Sequence, residues 1–345
     1  MATRKVRRWK YIRHQRVVER KRLKRKRLKV PKEKFLLASN LNEDVILAPE
    51  VFGLNPRHHQ DVARFMEQVR KAVSSRERIV CLDFRPTQKM AAGATLLLYS
   101  ELHRIKRLYP NAAIRCVPAR NKVVGQILQH LQIYDLLGHD AQITPDRKDV
   151  ISWRTATSGY IDGNAVGNII SQLALDDVRA KHLFRGATEA MVNAINHAYQ
   201  ESRNDGLVAF TEKKWWMFFR QHEDKLAVAV CDLGIGIPRS LPLKYASEVI
   251  QEAMSVLSVG YKATDSRLIQ AAMELQRTRT SQVGRGRGLN DLRRIVDEVP
   301  GGILYIFSNK GLVQYEGGVF TRRNFRISLF GTVVLWIIPL GGEAE

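Results

Sequence analysis

The hydrophobic pattern divides the chain into two regions of alternating helices and strands. In the first, residues 59–74 read as a helix and Glu77-Arg-Ile-Val-Cys-Leu-Asp-Phe as a central strand. Ala91–Tyr109 reads as the next helix, ending near Pro110, and Ala112-Ala-Ile-Arg-Cys-Val as a second strand. Asn121–Gly138 holds a further helix, with Val124, Ile127, Leu128, Leu131 and Ile133 as its apolar stripe. Strands that alternate with helices imply a parallel or mixed sheet. Residues 141–165 lack strong periodicity, carry Pro145, Asp146, Gly159 and Gly163, and read as a linker.

The second region opens with a long helical pattern, Asp176–Tyr199, whose buried face would be Ala187, Ala190, Met191, Ala194, Ile195 and Ala198. Glu189, Asn193 and Asn196 fall on another side of it. Trp215-Trp-Met-Phe-Phe-Arg and Leu226–Val230 flank Gln221-His-Glu-Asp-Lys, which predicts an antiparallel hairpin, its aromatic cluster serving as sheet core. Residues 239–280 are helical and polar. Gly302–Ser308, Gly311–Gly317, Asn324–Leu329 and Gly331–Leu340 read as closing strands.

Composition adds three bounds. At 345 residues with 45% apolar content, the chain has room for two globular domains. No apolar run approaches the roughly 20 residues of a membrane helix, and the N-terminus carries charge where a signal peptide needs an apolar stretch. Cys81, Cys116 and Cys231 are widely spaced, which argues against a disulfide frame or zinc site and suits a reducing cytoplasm.

Charge changes the picture further. The formal net charge is +22, and residues 1–34 hold 17 Lys/Arg against two Glu. Like charges this dense repel, so the tail is expected to be disordered or partly helical when free. It is suited to a polyanion: DNA or RNA phosphates, with Trp9 and Tyr11 able to stack on bases, or acidic lipid. A merely solubilising tail would look the same.

Candidate chemistry concentrates at three places. The run Leu226–Val230 leads into Cys-Asp-Leu-Gly-Ile-Gly-Ile-Pro, where Gly234 and Gly236 let the backbone turn sharply and approach a ligand. Asp232, at the strand's end, can accept a hydrogen bond from an amino group, and a buried carboxylate needs such a partner. A capped strand-to-turn junction would also explain it. On the long helix, the carboxylate of Glu189 and the amide of Asn193, one turn apart, can hold Mg²⁺ and a water together; so would an ordinary wet polar stripe. Finally, Gly284-Arg285-Gly286-Arg287-Gly288 precedes an apolar-periodic helix, offering backbone N–H groups and two guanidinium charges to phosphates. No Gly-Lys-Ser/Thr follows, so this is not a P-loop.

Two resemblances follow. Residues 35–140 resemble the STAS domain of anti-anti-sigma factors, through Ile79-Val-Cys-Leu-Asp-Phe, Ala91-Ala-Gly-Ala-Thr-Leu-Leu-Leu and Val123-Val-Gly-Gln-Ile-Leu-Gln-His-Leu-Gln-Ile-Tyr-Asp-Leu-Leu-Gly. Where that family's regulated members carry Asp-Ser-Ser-Gly, this chain has Met90-Ala91-Ala92-Gly93, with Thr87 and Thr95 off the motif. The resemblance therefore implies a binding or scaffold role without the phosphorylation switch. Residues 166–340 resemble the GHKL (Bergerat-fold) ATPases: Glu189-Ala-Met-Val-Asn193-Ala-Ile-Asn-His197 as the N box, Asp232–Pro238 and Gly284–Gly288 as the two glycine boxes, and the terminal strand with Thr332. The stretch Glu189–Tyr199 is similar to the anti-sigma-factor serine kinases, whose partners are STAS proteins.

These resemblances imply an α/β and α+β chain: a tail (1–34), a STAS-like α/β domain (35–140), a linker (141–165) and a GHKL α/β sandwich (166–345), the last a mixed sheet with helices on one face. They imply ATP and Mg²⁺ as ligands. Asn193 would hold Mg²⁺. Asp232, assisted by Thr332, would hold the adenine amino group beside Gly234 and Gly236. Gly284–Gly288 with Arg285 and Arg287 would cover the phosphates in a lid over about 258–288, and Glu189 would be the general base. His197 is read as structural. The expected activity is slow ATP hydrolysis driving a lid or homodimer switch. The alternatives are a serine/threonine kinase acting on a STAS or sigma-like partner, and a non-catalytic ATP-gated module that delivers the tail to nucleic acid.

Overall fold

The aromatic run Trp215–Phe219 has no polar position because both of its faces are buried. Trp215, Met217 and Phe219 point into one core and Trp216 and Phe218 into another, all at most 2% exposed. Side chains alternate across a strand, so a strand buried on both sides reads as one continuous apolar stretch.

The structure is a computed structural model that describes residues 43–75, 79–173, 175–208, 212–256, 263–278 and 289–340. The strands among them are β1 (Glu43–Leu47), β2 (Val51–Phe52), β3 (Ile79–Asp83), β4 (Lys89–Met90), β5 (Ile114–Val117), β6 (Arg154–Ser158), β7 (Trp215–His222), β8 (Lys225–Asp232), β9 (Ile303–Ser308), β10 (Gly311–Glu316), β11 (Val319–Asn324) and β12 (Thr332–Pro339). The helices are α1 (His59–Ser74), α2 (Ala92–Leu108), α3 (Lys122–His130), α4 (Ile133–Leu136), α5 (Lys148–Ile151), α6 (Gly163–Ile170), α7 (Asp177–Asn193), α8 (Ile237–Lys244), α9 (Ser247–Val256), α10 (Asp265–Thr278) and α11 (Asn290–Glu298). The tail 1–34 and the glycines and arginines at 284–288 lie outside the described residues, as do 258–262 and 279–283 of the lid expected before them; α10 occupies most of the rest of that lid. No helix among the described residues is long and apolar enough to cross a membrane.

The fold is α/β and α+β, as expected. In the N-terminal part, β1, β3 and β5 form a parallel sheet in the order β1-β3-β5, and β2 pairs with β4, also in parallel. The larger sheet has the order β11-β10-β9-β12-β8-β7-β6, and every neighbouring pair in it is antiparallel. Its edge strand β6 comes from within 141–165. The strand expected over Asn324–Leu329 lies instead at Val319–Asn324. Gly317 and Gly318, with φ of +54° and +80°, make a two-residue hairpin turn after β10, and such a turn brings the chain straight back along its neighbour.

Helices cover both faces of this sheet. On one face, α7, α10 and α11 enclose the core around Trp215, Met217, Val230, Ile306 and Trp336, and the Trp336 indole N–H donates to Leu292 O at 2.6 Å. On the other face, α2 packs across β7, β8 and β12. There Tyr99 meets Phe218 with ring centroids 5.2 Å apart. Fully burying one such side chain contributes about 1.5–3 kcal/mol.

Two polar features are sealed beneath that second face. Arg70, Glu101 and Arg104 from α1 and α2 meet Arg203 and Asp205, from the segment after α7. Arg70 and Arg203 bond Glu101, and Arg104 and Arg203 pair with Asp205 at 2.6 and 2.7 Å. Burial works to raise the Asp205 carboxyl, yet the three guanidinium groups hold it well below the usual range. His59 opens α1 and is fully buried, its ring stacked on Phe325 at 3.6 Å, with no hydrogen-bond partner for either nitrogen among the described residues. Burial lowers its pKa to about 4. Near Met90–Gly93, Thr87 and Thr95 are buried and donate to Pro49 O and Ala91 O.

Candidate functional site

The antiparallel register places three short polar side chains in one row across β8, β12 and β9: Asp232 opposite Thr332, and Thr332 opposite Ser308. The Ser308 and Thr332 hydroxyl oxygens are 3.1 Å apart, and Asp232 Oδ1 accepts the Gly234 N–H at 2.9 Å. All three residues are buried. Burial pushes the Asp232 carboxyl up to about 6, only partly offset by its bonds from Gly234 and Thr332.

The glycine turn after β8 is fixed on three sides. The Ile235 N–H donates to Ala198 O at 2.7 Å, and the Leu233 N–H donates to the Tyr199 hydroxyl at 3.1 Å. Asn309 Nδ2 donates to Ile235 O at 2.9 Å, and the Ile237 N–H donates to Ser308 Oγ at 2.8 Å. A Cβ at Gly234 would lie 2.0 Å from Ala198 O, so only glycine lets the turn touch the end of α7's extension. Gly236 has φ of +78°, a region that side chains disfavour.

Helix α7 begins at Asp176, whose carboxylate accepts the Arg179 N–H at 2.8 Å, and it changes pitch after Asn193. Residues Ala194–Ala198 form a π turn. Such single π turns are rare and often mark functional sites. Here the wider turn alters which side chains share a face. Asn196, expected beside Glu189 and Asn193, is exposed, and His197 takes its place at the pocket.

Asn193 Nδ2 donates to Glu189 Oε1 at 2.8 Å and to Glu189 O at 2.9 Å. With the amide nitrogen committed to Glu189, the amide oxygen is the Asn193 atom left to meet a cation. Burial raises the Glu189 carboxyl to about 7; the Asn193 bond opposes this, the charge of Asp291 adds to it, and Lys244 lowers it.

A pocket joins these parts. Its apolar walls are Val230, Ile237, Leu241, Leu289, Leu292 and Val334; its polar groups are Asn193, His197, Asp232, Ser240, Lys244 and Thr332. Apolar walls with a few convergent polar groups suit a flat heteroaromatic ligand. Of the residues expected at the site, Asn193, Asp232, Gly236 and Thr332 line the pocket, and Glu189 and Gly234 adjoin it through their bonds to Asn193 and Asp232. Leu289, the residue after Gly284–Gly288, lines the pocket wall.

Residues 164–305 match the family model of the histidine kinase-like ATPase domain. This matched segment carries the ATP-binding, GHKL-type character of the chain. It contains Glu189, Asn193, Asp232 and both glycine stretches, whereas Thr332 lies beyond it. No curated protein matches the chain.

The donor set of the ATPase-type segment fits Mg²⁺. Magnesium favours hard oxygen ligands, keeps most of its waters and shares the rest with phosphates, so one amide oxygen suffices. Among the described residues no three His, Cys, Asp or Glu side chains gather into an all-protein metal cage. Sequence reasoning missed Tyr199, Lys244, Ser308 and Asn309. The first of these stands next to the N box and was within reach. The other three carry no local signal, because sheet pairing and helix packing bring them in.

Proposed function

We propose that this protein binds ATP with Mg²⁺ in the pocket, hydrolyses it slowly, and uses its nucleotide state to switch contacts with a partner. One observation supports this best: a single pocket combines the buried Asp232 carboxylate at its apolar floor with Asn193, which is bonded to Glu189 on a π-bulged helix. The apolar walls would take the adenine ring, and Asp232 would accept from its exocyclic amino group, with Thr332 alongside. Water is kept from that contact by Val230 and Val334. At the other end Asn193 Oδ1 would hold Mg²⁺, which supplies charge neutralisation between the phosphates. Glu189, poised near neutral pH, would take the proton of the attacking water onto its carboxylate. Positioning and charge compensation would provide most of the rate.

The deciding experiment measures ATP binding and turnover with Mg²⁺ for the wild type and Asp232→Asn. Binding by the wild type alone supports the assignment. Equal binding by both, or by neither, rejects it.

The same base would serve a protein hydroxyl as well as water. Transfer of labelled phosphate to a STAS or sigma-like protein would make the chain a serine/threonine kinase instead. For the basic tail we retain polyanion binding, which predicts affinity falling by ~10³-fold or more between 50 and 200 mM salt if six or more phosphates are contacted. A reducing, cytoplasmic setting fits the free thiols Cys81, Cys116 and Cys231.

A further inference from the structure

The adenine end of the pocket holds the Asp232 carboxylate, and Asn193 at its other end is bonded to a second carboxylate, that of Glu189. A triphosphate would bring about four more negative charges into this acidic site. Electrostatic compensation therefore needs a protein cation close to Glu189. Lys244 meets that need among the described residues. It is the last residue of α8, the helix that starts directly from the glycine turn, and it lines the pocket with Asn193, His197 and Ser240. Its charge acts on Glu189, so it stands near the reacting end of the pocket.

Its direction is fixed by a second residue. Lys244 Nζ lies 3.2 Å from His197 Nε2, on the π turn that follows Asn193. Burial, with Lys244 adding to it, lowers the His197 pKa, so the ring is neutral at pH 7 and accepts the ammonium proton. The π turn thus puts the metal-facing amide and the lysine's acceptor on one side of the same helix.

We propose that Lys244, aimed by His197, binds the terminal phosphates of the nucleotide opposite the Asn193 side chain. This rests on the nucleotide reading above and extends it to the phosphate end. Lys244 contacts substrate; His197 is a positioning residue.

The test uses the full chain and measures Mg²⁺-ATP and adenosine affinities by calorimetry. Lys244 is exposed, so its replacement leaves the fold intact. Lys244→Ala should weaken ATP about ten- to a hundredfold, the size of a charge-assisted hydrogen bond, and leave adenosine unchanged. Lys244→Arg should restore most of the loss. His197→Phe should give a smaller ATP-selective loss, rescued by His197→Gln, whose amide oxygen can accept in place of Nε2. Unchanged ATP affinity in Lys244→Ala overturns the proposal while the nucleotide reading stands, and so does an equal loss for ATP and adenosine. A wild type that binds neither overturns both.

Discussion

The side-chain amide of Asn193 donates to both the carboxylate and the main-chain oxygen of Glu189. The residue expected to meet the metal is therefore also the one that steadies the expected base. That double duty makes the pH profile of turnover informative. With the Glu189 carboxyl raised to about 7, the rate should fall on the acid side with a midpoint near that value. Asn193→Ala removes a donor that favours the charged form, so whatever activity remains should have its acid limb shifted upward. Glu189→Gln should abolish turnover and spare ATP binding. Steady-state rates between pH 5 and 9 check all three.

Asp232→Asn should separate stability from function. The Asp232 carboxyl is raised from 3.8 to about 6 in the fold, so the native state binds this proton more tightly than the unfolded chain does. Stability therefore declines as pH rises through that window, by up to about 3 kcal/mol. The amide variant escapes the decline. It should melt at a higher temperature than wild type at pH 8, match it near pH 4, and bind no ATP. Thermal scans without nucleotide at the two pH values test this.

His59 should give the opposite slope. Its pKa drops from 6.5 to about 4 on folding, so the folded state resists the proton. Its stability contribution is complete above about 6.5 and is lost as pH falls toward 4, amounting to about 3 kcal/mol. His59→Phe keeps a ring against Phe325 and removes two unpartnered buried nitrogens. Denaturant midpoints for this variant should be higher than wild type and nearly flat between pH 7 and 4.

The five-residue ionic cluster ties α1 and α2 to the glycine turn after β8, since Arg203 Nη1 also reaches Leu233 O at 3.4 Å. Arg203→Met leaves Glu101 and Asp205 with fewer cations in a dry site, and such a change costs about 3–5 kcal/mol. ATP affinity should fall with it, because Leu233 adjoins Asp232. Arg239→Met, which removes half-exposed bonds to Glu201, Ser202 O and Arg203 O from outside the cluster, should cost less than Arg203→Met. Urea titrations of both variants, with and without ATP, make the comparison.

Local chemistry decided what could be read in advance. The glycine turn at 232–238 and the Glu189–Asn193 pair were legible because each demands particular residue types at fixed spacing. So was the β7–β8 hairpin, whose two apolar runs flank a polar turn. The site of β11 was not, since the Gly317–Gly318 turn looked like the end of one strand and not the hinge of two. The exchange of Asn196 for His197 was hidden by an assumed α-helical pitch. Ser308, Asn309 and Lys244 enter through register and helix packing, which no local pattern encodes.

The order of the large sheet bears on how the chain can be cut. Its matched segment ends at residue 305, inside β9. Strand β12 lies beyond that limit and yet sits between β8 and β9, and β6 and α2 both precede residue 164. A fragment spanning 164–305 would lose four of the seven strands, the central one among them, and half of a fifth, and it would bare Trp216 and Phe218 to water. The limits of likeness are thus not limits of folding. The matched segment and the N-terminal helices form one piece, and anything that pulls on α2 pulls on the wall of the pocket.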